Sequence, residues 1–251
     1  MRHRSAGRPL RLPCRRVVGA LAVGAALAPG RAWAQGGDDA PLPQLVQELF
    51  VAATVQAQGR GQTQVTTKGG TSSREDPGAH LRALVEYGIT DRVQLGVLTP
   101  TLEGHARLGD AGDEYRRVRP SLFVAVLPGA RPFSLSLSAG AAVASGVAPT
   151  WEAGVVAARG MGRVQLHGAS ALAIERGTAT LTETLAALYD AGALTPTLTL
   201  AHDAEGLARW ALVPGLFAHP GPRFELGVGM PVSLAGGRTV RTARFVVTAE
   251  F

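Results

Sequence analysis

Histidine, serine and acidic side chains are the residues of this chain with the most chemistry to offer. His167 lies three residues before Ser170, and a serine hydroxyl activated by a histidine base is a common nucleophile of hydrolases. His105 and Asp110 share a segment with further acids, as hydrolases that activate water with acids and a histidine require. The sequence contains no asparagine, which excludes a serine–histidine–asparagine arrangement.

The spacing favours neither kind of hydrolase. His167 is in phase with Gln165 in the middle of a predicted strand, where an isolated polar histidine is far more common than a general base. The acids around His105 are better explained as solvated charges of a loop. Three more histidines lie near predicted strand ends without metal-ligand spacing: His80, His202 and His219. Gly160-Met161-Gly162 is predicted to be a turn rather than a phosphate loop. We predict that the chain is not an enzyme and that it holds no metal and no cofactor.

Strands are the elements that must position these side chains. Apolar residues alternate with small or polar ones in segments of about ten residues, separated by Gly, Pro and Asp. The alternation is clearest from Phe133 to Ala141 and from Phe224 to Met230. Twelve segments are predicted, at 47–58, 79–89, 92–103, 114–127, 132–145, 150–159, 163–175, 179–189, 193–202, 207–218, 223–234 and 239–251.

The connections between these segments support an even strand count, which returns both termini to the periplasmic side. Every second connection is short and turn-forming. The short connections are 90–91, 128–131, 160–162, 190–192 and 220–222. The two longest, 59–78 and 104–113, are then extracellular. The predicted fold is all-β, an antiparallel up-and-down transmembrane β-barrel of about 12 strands, and a soluble periplasmic β-sandwich is the competing fold.

The N-terminus has the pattern of an export signal. Residues 1–34 combine clustered arginines, a short apolar run and Ala32-Trp33-Ala34, and we predict that this signal peptide is cleaved. Seven of the 25 Lys and Arg residues and none of the 19 Asp and Glu residues lie there, so the remainder carries a formal charge of −1. A nucleic-acid partner is therefore not predicted. Residues 35–46 are expected to be a flexible periplasmic lead-in, and residues 47–251 the outer-membrane barrel.

The ionisable residues on the polar faces are predicted to point into the barrel. Two interpretations remain open for them: a salt-bridge network that closes the lumen, or the lining of a selective pore. The lumen-lining residues are Arg82, Glu86, Arg117, Arg119, Glu152, His167, Arg209, Glu225 and Arg244, together with Gln165 and Glu250.

Aromatic residues in phase with the apolar faces lie near the predicted strand ends. Amphipathic rings favour the headgroup layer, so these positions predict a membrane girdle at each interface. Near the periplasmic ends they are Tyr87, Phe133, Tyr189, Phe224 and Phe251. Near the extracellular ends they are Trp151 and Trp210. Ordinary core packing is the alternative.

Two short stretches resemble known outer-membrane barrels. The chain ends on Phe251 with Ala249, Val247 and Phe245 in phase, which resembles the C-terminal signature of such barrels and implies contact with the barrel-assembly machinery. Residues 85–96, VEYGITDRVQLG, resemble a hairpin of the family related to the "MetA-pathway of phenol degradation" proteins. That resemblance implies a barrel that passes hydrophobic or aromatic solutes, and it implies no catalytic residues.

We therefore expect a narrow or partly plugged barrel in the bacterial outer membrane, surrounded by outer-membrane lipid, that passively transports small solutes. A non-conducting scaffold or surface-binding barrel, acting through residues 59–78 and 104–113, is the main alternative. A barrel hydrolase is a weaker one.

Overall fold

The structure is a computed structural model, and it describes residues 44–51, 54–71, 79–103, 117–127, 133–202, 210–233 and 243–251. Within these ranges no helix is long and apolar enough to cross a membrane. Several predictions concern residues outside them. These are the signal peptide at 1–34, most of the lead-in at 35–46, the connection at 104–113 with His105 and Asp110, the turn at 128–131, and Arg209.

Twelve antiparallel strands account for most of the described residues. They are β1 (Thr63–Thr71), β2 (Ala79–Thr90), β3 (Val93–Leu98, resuming at Leu102–Glu103), β4 (Arg119–Leu127), β5 (Phe133–Ala142), β6 (Thr150–Met161), β7 (Val164–Glu175), β8 (Thr178–Tyr189), β9 (Leu194–His202), β10 (Trp210–Gly221), β11 (Phe224–Gly229, resuming at Val232–Ser233) and β12 (Arg244–Glu250). The interruptions of β3 and β11 each contain a proline, Pro100 and Pro231, which has no amide proton to give to a ladder.

These strands close into a barrel. Each pairs with its neighbours in sequence, and β1 also pairs with β12, from Gln64 opposite Glu250 to Gly70 opposite Arg244. The amide of Phe251 donates to the carbonyl of Thr63 (2.8 Å), which extends the seam to the last residue. Closure leaves each strand with two partners, so the described wall has no open sheet edge. The predicted twelve-stranded antiparallel barrel is confirmed.

The first strand, however, is not where alternation placed it. The prediction of a strand at 47–58 is wrong, because residues 44–51 and 54–59 form no strand and lie inside the barrel. β1 instead lies within the long connection predicted at 59–78. Its sequence, TQVTTKGGT, has threonine or glycine on both faces and so lacks the apolar alternation of the other strands. Because one strand replaces another, the count stays at twelve.

Short turns gather at one end of the barrel, which we call the turn end. They lie at 91–92, 162–163, 190–193 and 222–223, and Phe251 lies at the same end. Gly162 and Gly192 have φ values of 62° and 81°, which glycine adopts without the clash of a β-carbon. At the opposite end, the loop end, lie the connections β1–β2, β3–β4, β5–β6, β7–β8, β9–β10 and β11–β12. Three turns come later than predicted, because β2 continues to Thr90, β6 to Met161 and β10 to Gly221.

The two faces of the wall differ in chemistry. Leu137 and Leu198 point outward and are each 47% exposed, whereas their neighbours Ser136 and Thr197 point inward and are buried. The same alternation of large apolar residues outside and polar or small residues inside runs around the barrel. A pleated strand places successive side chains on opposite faces, so this pattern follows directly from the period of two in the sequence.

Candidate functional site: the barrel interior

The barrel interior holds a segment of its own chain. Residues 44–59, apart from 52–53, which lie outside the description, run through it before β1 begins; we call them the lumen segment. The carbonyl of Leu45 accepts a hydrogen bond (3.4 Å) from the start of β9, and the amide of Gln58 donates one (2.7 Å) to Gln94 at the start of β3. Both contacts lie near the turn end. Phe50 contacts the middle of β10, so the segment enters and leaves at the turn end with Phe50 at its tip.

Phe50 is the main apolar anchor of the lumen segment. Its side chain is 4% exposed, and its ring lies 4.8 Å from that of Phe217, tilted by 36°. Gly215 and Gly229 make room for the ring: a β-carbon at Gly229 would lie 3.0 Å from it, and one at Gly215 would collide with it. Burying a phenylalanine of this size stabilises the docked segment by about 1.5–3 kcal/mol.

Charged groups hold the same part of the segment. The carboxylate of Glu225 accepts hydrogen bonds from the backbone amides of Gln47 (2.8 Å) and Glu48 (3.4 Å). Lys68 donates to the Glu48 carboxylate (2.5 Å) and to the carbonyl of Leu49 (3.2 Å). Hydrogen bonds with one ionised partner are shorter and about twice as strong as neutral ones, so these contacts fix the segment firmly.

Glutamine side chains hold the other end of the segment. The side-chain amide nitrogen of Gln58 donates to the side-chain oxygen of Gln64 (2.5 Å), and the side-chain amide nitrogen of Gln64 donates to Glu86 (2.9 Å). Gln94 also donates to Glu86 and accepts from the backbone of Gln58. All four side chains are buried, so each polar group needs such a partner, and the network makes the lumen segment one of those partners.

The middle and the exit of the segment are fitted to the wall. Val55 packs against Val156, and the hydroxyl of Ser136 donates to the carbonyl of Val55 (2.5 Å). Gly88 lies where the segment leaves: a β-carbon there would collide with the carbonyl oxygen of Gly59. The close approach of two backbones therefore requires glycine at this position.

Two ion pairs line the interior nearer the loop end. A guanidinium nitrogen of Arg117 lies 2.7 Å from the Glu175 carboxylate, and the same guanidinium donates to the hydroxyl of Thr150. Arg119 lies 3.6 Å from Glu152. Charges of both signs thus meet across the interior, between strands that are not direct neighbours, and each buried charge has a partner of opposite sign.

The register places the predicted lumen residues that it covers on the inward face. Arg82 lies opposite Lys68, Gly96 opposite Glu86, and Gly70 opposite Arg244. The other predicted lumen residues on this face are Arg117, Arg119, Glu152, His167 and Glu225, with Gln165 and Glu250. Only Arg209 falls outside the described residues.

The register separates the residues of the candidate hydrolase. His167 points inward, is buried and lies 3.2 Å from Gln165, whereas Ser170 is an odd number of residues away and points outward. On the outward face Ser170 lies opposite Glu183, which lies opposite His202 and 3.6 Å from its ring. The acid therefore separates the serine from the histidine, which does not suit a nucleophile and its base. Within the described ranges no three His, Cys, Asp or Glu side chains converge as metal ligands.

The predicted girdle residues all point outward. At the turn end Tyr87 is 49% exposed and Phe251 is 71% exposed, and at the loop end Trp151 is 63% exposed. The others are Phe133, Tyr189 and Phe224 at the turn end and Trp210 at the loop end. Trp210 is partly covered by the ring of His202, with ring centroids 4.5 Å apart.

The contacts of the lumen segment were not predicted from the sequence. Lys68 is the only lysine of the chain, and its partner Glu48 lies in a stretch assigned to a strand. One signal was available. Leu45, Val46, Leu49 and Phe50 repeat in pairs four residues apart and do not alternate, so the period of two fails where the segment docks.

Comparison with known proteins supports the fold and gives no family, solute or site residues. No family model matches the chain, and no curated protein matches it. Among solved structures, the chain is similar to the KdgM porin, at 10% identity and a TM-score of 0.51, over 75% of this chain and 98% of that one. It is also similar to an outer membrane channel from Pseudomonas putida F1, at 11% identity and a TM-score of 0.50, over 78% and 98%. At these identities the shared property is the barrel.

Proposed function

We propose that this chain is an outer-membrane β-barrel for the passive passage of small solutes, and that the lumen segment controls passage. One arrangement carries the proposal: a closed wall with an apolar outer face surrounds a polar interior, and a separate part of the same chain fills that interior. A barrel that served only as a wall would not need a polar interior.

The membrane setting is supported by the outer face. Exposed leucine, valine and phenylalanine side chains cover it, and each Å² of such surface costs about 25 cal/mol in water. Aromatic side chains lie outward near both ends, as a girdle in the headgroup layers would require. In this proposal residues 1–34 direct export, the turn end is periplasmic, and the last strand, which ends on Phe251, meets the barrel-assembly machinery.

Control by the lumen segment is supported by the kind of contact that holds it. Each of the hydrogen bonds cited above between the lumen segment and the wall involves at least one side chain. The residues of the segment that make them are Leu45, Gln47, Glu48, Val55 and Gln58. Their loss leaves the backbone ladder between strands intact. The segment can therefore leave the lumen while the barrel stays closed.

Hydrophobic or aromatic solutes are the proposed cargo. The resemblance of residues 85–96 to the MetA-pathway family implies such solutes. The apolar patch around Phe50 and Phe217, which includes Val213 and Val246, is compatible with them because it offers a nonpolar surface inside a polar lumen.

Liposome swelling tests the proposal. Wild-type protein and a Phe50→Ala variant are reconstituted at equal density and exposed to a size series of neutral solutes. We expect slow swelling with wild type and faster swelling with the variant, both ending at the same size limit. The absence of swelling for both proteins, with folded barrels verified by heat-modified gel mobility, would refute passive transport.

The filled lumen also favours a second candidate, a non-conducting barrel that binds partners at its surface. The predicted binding loops were 59–78 and 104–113, and β1 now occupies much of the first. Deleting residues 104–113 should then abolish surface binding while the heat-modified mobility is kept. A deletion variant that binds as well as wild type argues against this candidate.

A further inference from the structure

Side chains of the barrel wall bind the backbone of the lumen segment at several points. Backbone amides and carbonyls are nearly the same in every residue, so these contacts do not depend on the side chains of the segment. The groups bound in this way are the carbonyls of Leu45 and Leu49, the amides of Gln47 and Glu48, the carbonyl of Val55 and the amide of Gln58. The wall therefore holds the segment as a peptide chain.

These contacts are densest in residues 44–51, which we call the first arm of the lumen segment. Glu225 is 1% exposed and accepts hydrogen bonds from two successive amides of the arm, at 2.8 and 3.4 Å. A buried carboxylate needs such donors, and a peptide backbone supplies them whatever its side chains are. On either side of this pair, Thr195 donates to one carbonyl (3.4 Å) and Lys68 to another (3.2 Å). The wall thus offers acceptors and donors to one short stretch of backbone.

One side chain of the first arm fits a pocket of matching shape. The ring centroids of Phe50 and Phe217 lie 4.8 Å apart. On the wall beside the Phe50 ring lie Gly215 and Gly229, where a β-carbon would come too close to the ring. The two glycines therefore leave a pocket of the size of a phenyl ring. In peptide recognition, main-chain hydrogen bonds give affinity and side-chain pockets give specificity, and the lumen has both.

We propose that the lumen binds short peptides that carry an aromatic residue, and that the first arm is their resident competitor. Such a peptide takes the place of the first arm, donates two amides to Glu225 and inserts its ring beside Phe217. The filled barrel needs no further cavity for it, because the space that the peptide takes is that of the arm it replaces. Passage of these peptides rests on the proposed transport function, whereas their binding does not.

Competition with the first arm sets the apparent affinity of a free peptide. The arm belongs to the same chain as the wall, so it competes at an effective concentration on the order of millimolar. A free peptide binds only the molecules whose arm has left, and its apparent dissociation constant is the intrinsic one divided by their fraction. Weakening the arm without changing the wall should therefore tighten the binding of a free peptide.

Fluorescence anisotropy of a labelled peptide tests the site. The peptide has the sequence of residues 45–51, LVQELFV, with an acetylated N-terminus and fluorescein at its C-terminus. The full barrel protein in detergent is titrated into it, as wild type and as Phe50→Ala. We expect about a hundredfold tighter binding to Phe50→Ala, because truncation of the buried ring releases the arm in about a hundredfold more molecules.

Changes in the peptide test its contacts without altering the resident arm. An ester in place of the Gln47 amide removes the N–H that Glu225 accepts, so binding to Phe50→Ala should weaken roughly ten- to a hundredfold. The control is an ester in place of the Val51 amide, which donates no hydrogen bond to the wall residues that the structure describes. This control should bind as the unmodified peptide does. Alanine in place of the phenylalanine of the peptide should weaken binding about a hundredfold.

Equal binding of the two esters, or equal binding of the unmodified peptide to wild type and Phe50→Ala, would overturn the site. Planar-bilayer recordings of Phe50→Ala separate this failure from that of the transport proposal. An ion current that the peptide does not reduce would retain transport and refute the site. Peptide binding by a protein that carries no current would retain the site and refute transport.

Discussion

Replacing Phe50 with alanine should release the lumen segment and leave the barrel closed. The Phe50 ring is buried between Phe217 and the backbone of Gly215 and Gly229, and neither glycine has a side chain that could fill the space left by its loss. The β1–β12 seam pairs from Gln64 to Gly70 and does not include Phe50. The lost contacts therefore weaken docking of the segment rather than closure of the wall.

The size of the effect follows from the burial of the ring. Truncating a buried phenylalanine to alanine costs about 3–5 kcal/mol in a protein core. We take the lower end, about 3 kcal/mol, because water can enter a space that opens onto a lumen. At about 1.4 kcal/mol for each factor of ten, the released fraction should rise by roughly two orders of magnitude.

The assay is thiol labelling of a cysteine placed at Val55, a side chain of the lumen segment that is 2% exposed. Cys14, the only cysteine of the sequence, is replaced by serine, and labelling rates are compared with and without Phe50→Ala. When the segment docks and undocks faster than the thiol reacts, the ratio of labelling rates equals the ratio of released fractions. We expect a ratio near one hundred, with an unchanged shift between heated and unheated gel bands. Leu198→Ala, an equally simple truncation on the outward face, should leave the labelling rate unchanged.

A ratio below about three would refute the docking role of Phe50, because it corresponds to less than about 0.7 kcal/mol. Loss of the heat-modified band in Phe50→Ala would refute the separation between segment and wall. The two results point to different errors. The first concerns the energy of the contact, and the second concerns the independence of the barrel.

Further predictions concern the other anchors. Gly88→Ala should raise Val55→Cys labelling, since the new methyl group would collide with backbone atoms of the segment. Gly96→Ala should not, since the atoms nearest to its methyl group are side-chain atoms of the wall, with the Ser121 hydroxyl at 2.7 Å. Glu225→Gln should raise labelling by roughly ten- to a hundredfold, because hydrogen bonds to a carboxylate are worth roughly 1.5–3 kcal/mol, and an unchanged rate would exclude Glu225 as an anchor.

Much of the wall follows from the sequence because its rules are local. Alternation from Phe133 onward and the turn residues at Asp190 and Gly192 depend only on neighbours along the chain. The sequence of β1 does not show this alternation of apolar and polar residues. Its outward Gly69 is covered by Phe245 from a strand at the other end of the sequence, so its burial needs no apolar side chain of its own. Such a strand can be recognised only from its pairing with the last strand of the closed barrel, and not from its own sequence.

The interior could be predicted only in part. Phase along each strand was enough to suggest that Arg119 and Glu152 face the lumen, and the register brings them within 3.6 Å. The phase of a strand could not reveal that Glu48 reaches Lys68, because Glu48 lies on a segment that does not follow the period of two. A segment that docks inside a barrel has the mixed composition of a strand, and the failure of the period of two between Leu45 and Phe50 was the one sequence signal that distinguishes them.

The most direct test of the account is single-channel recording of wild type and Phe50→Ala side by side in planar bilayers. The account predicts sparse, brief openings for wild type and frequent, long openings for the variant, with the same conductance in each open state. The same open fraction for both proteins would contradict the central claim that the lumen segment controls the passage.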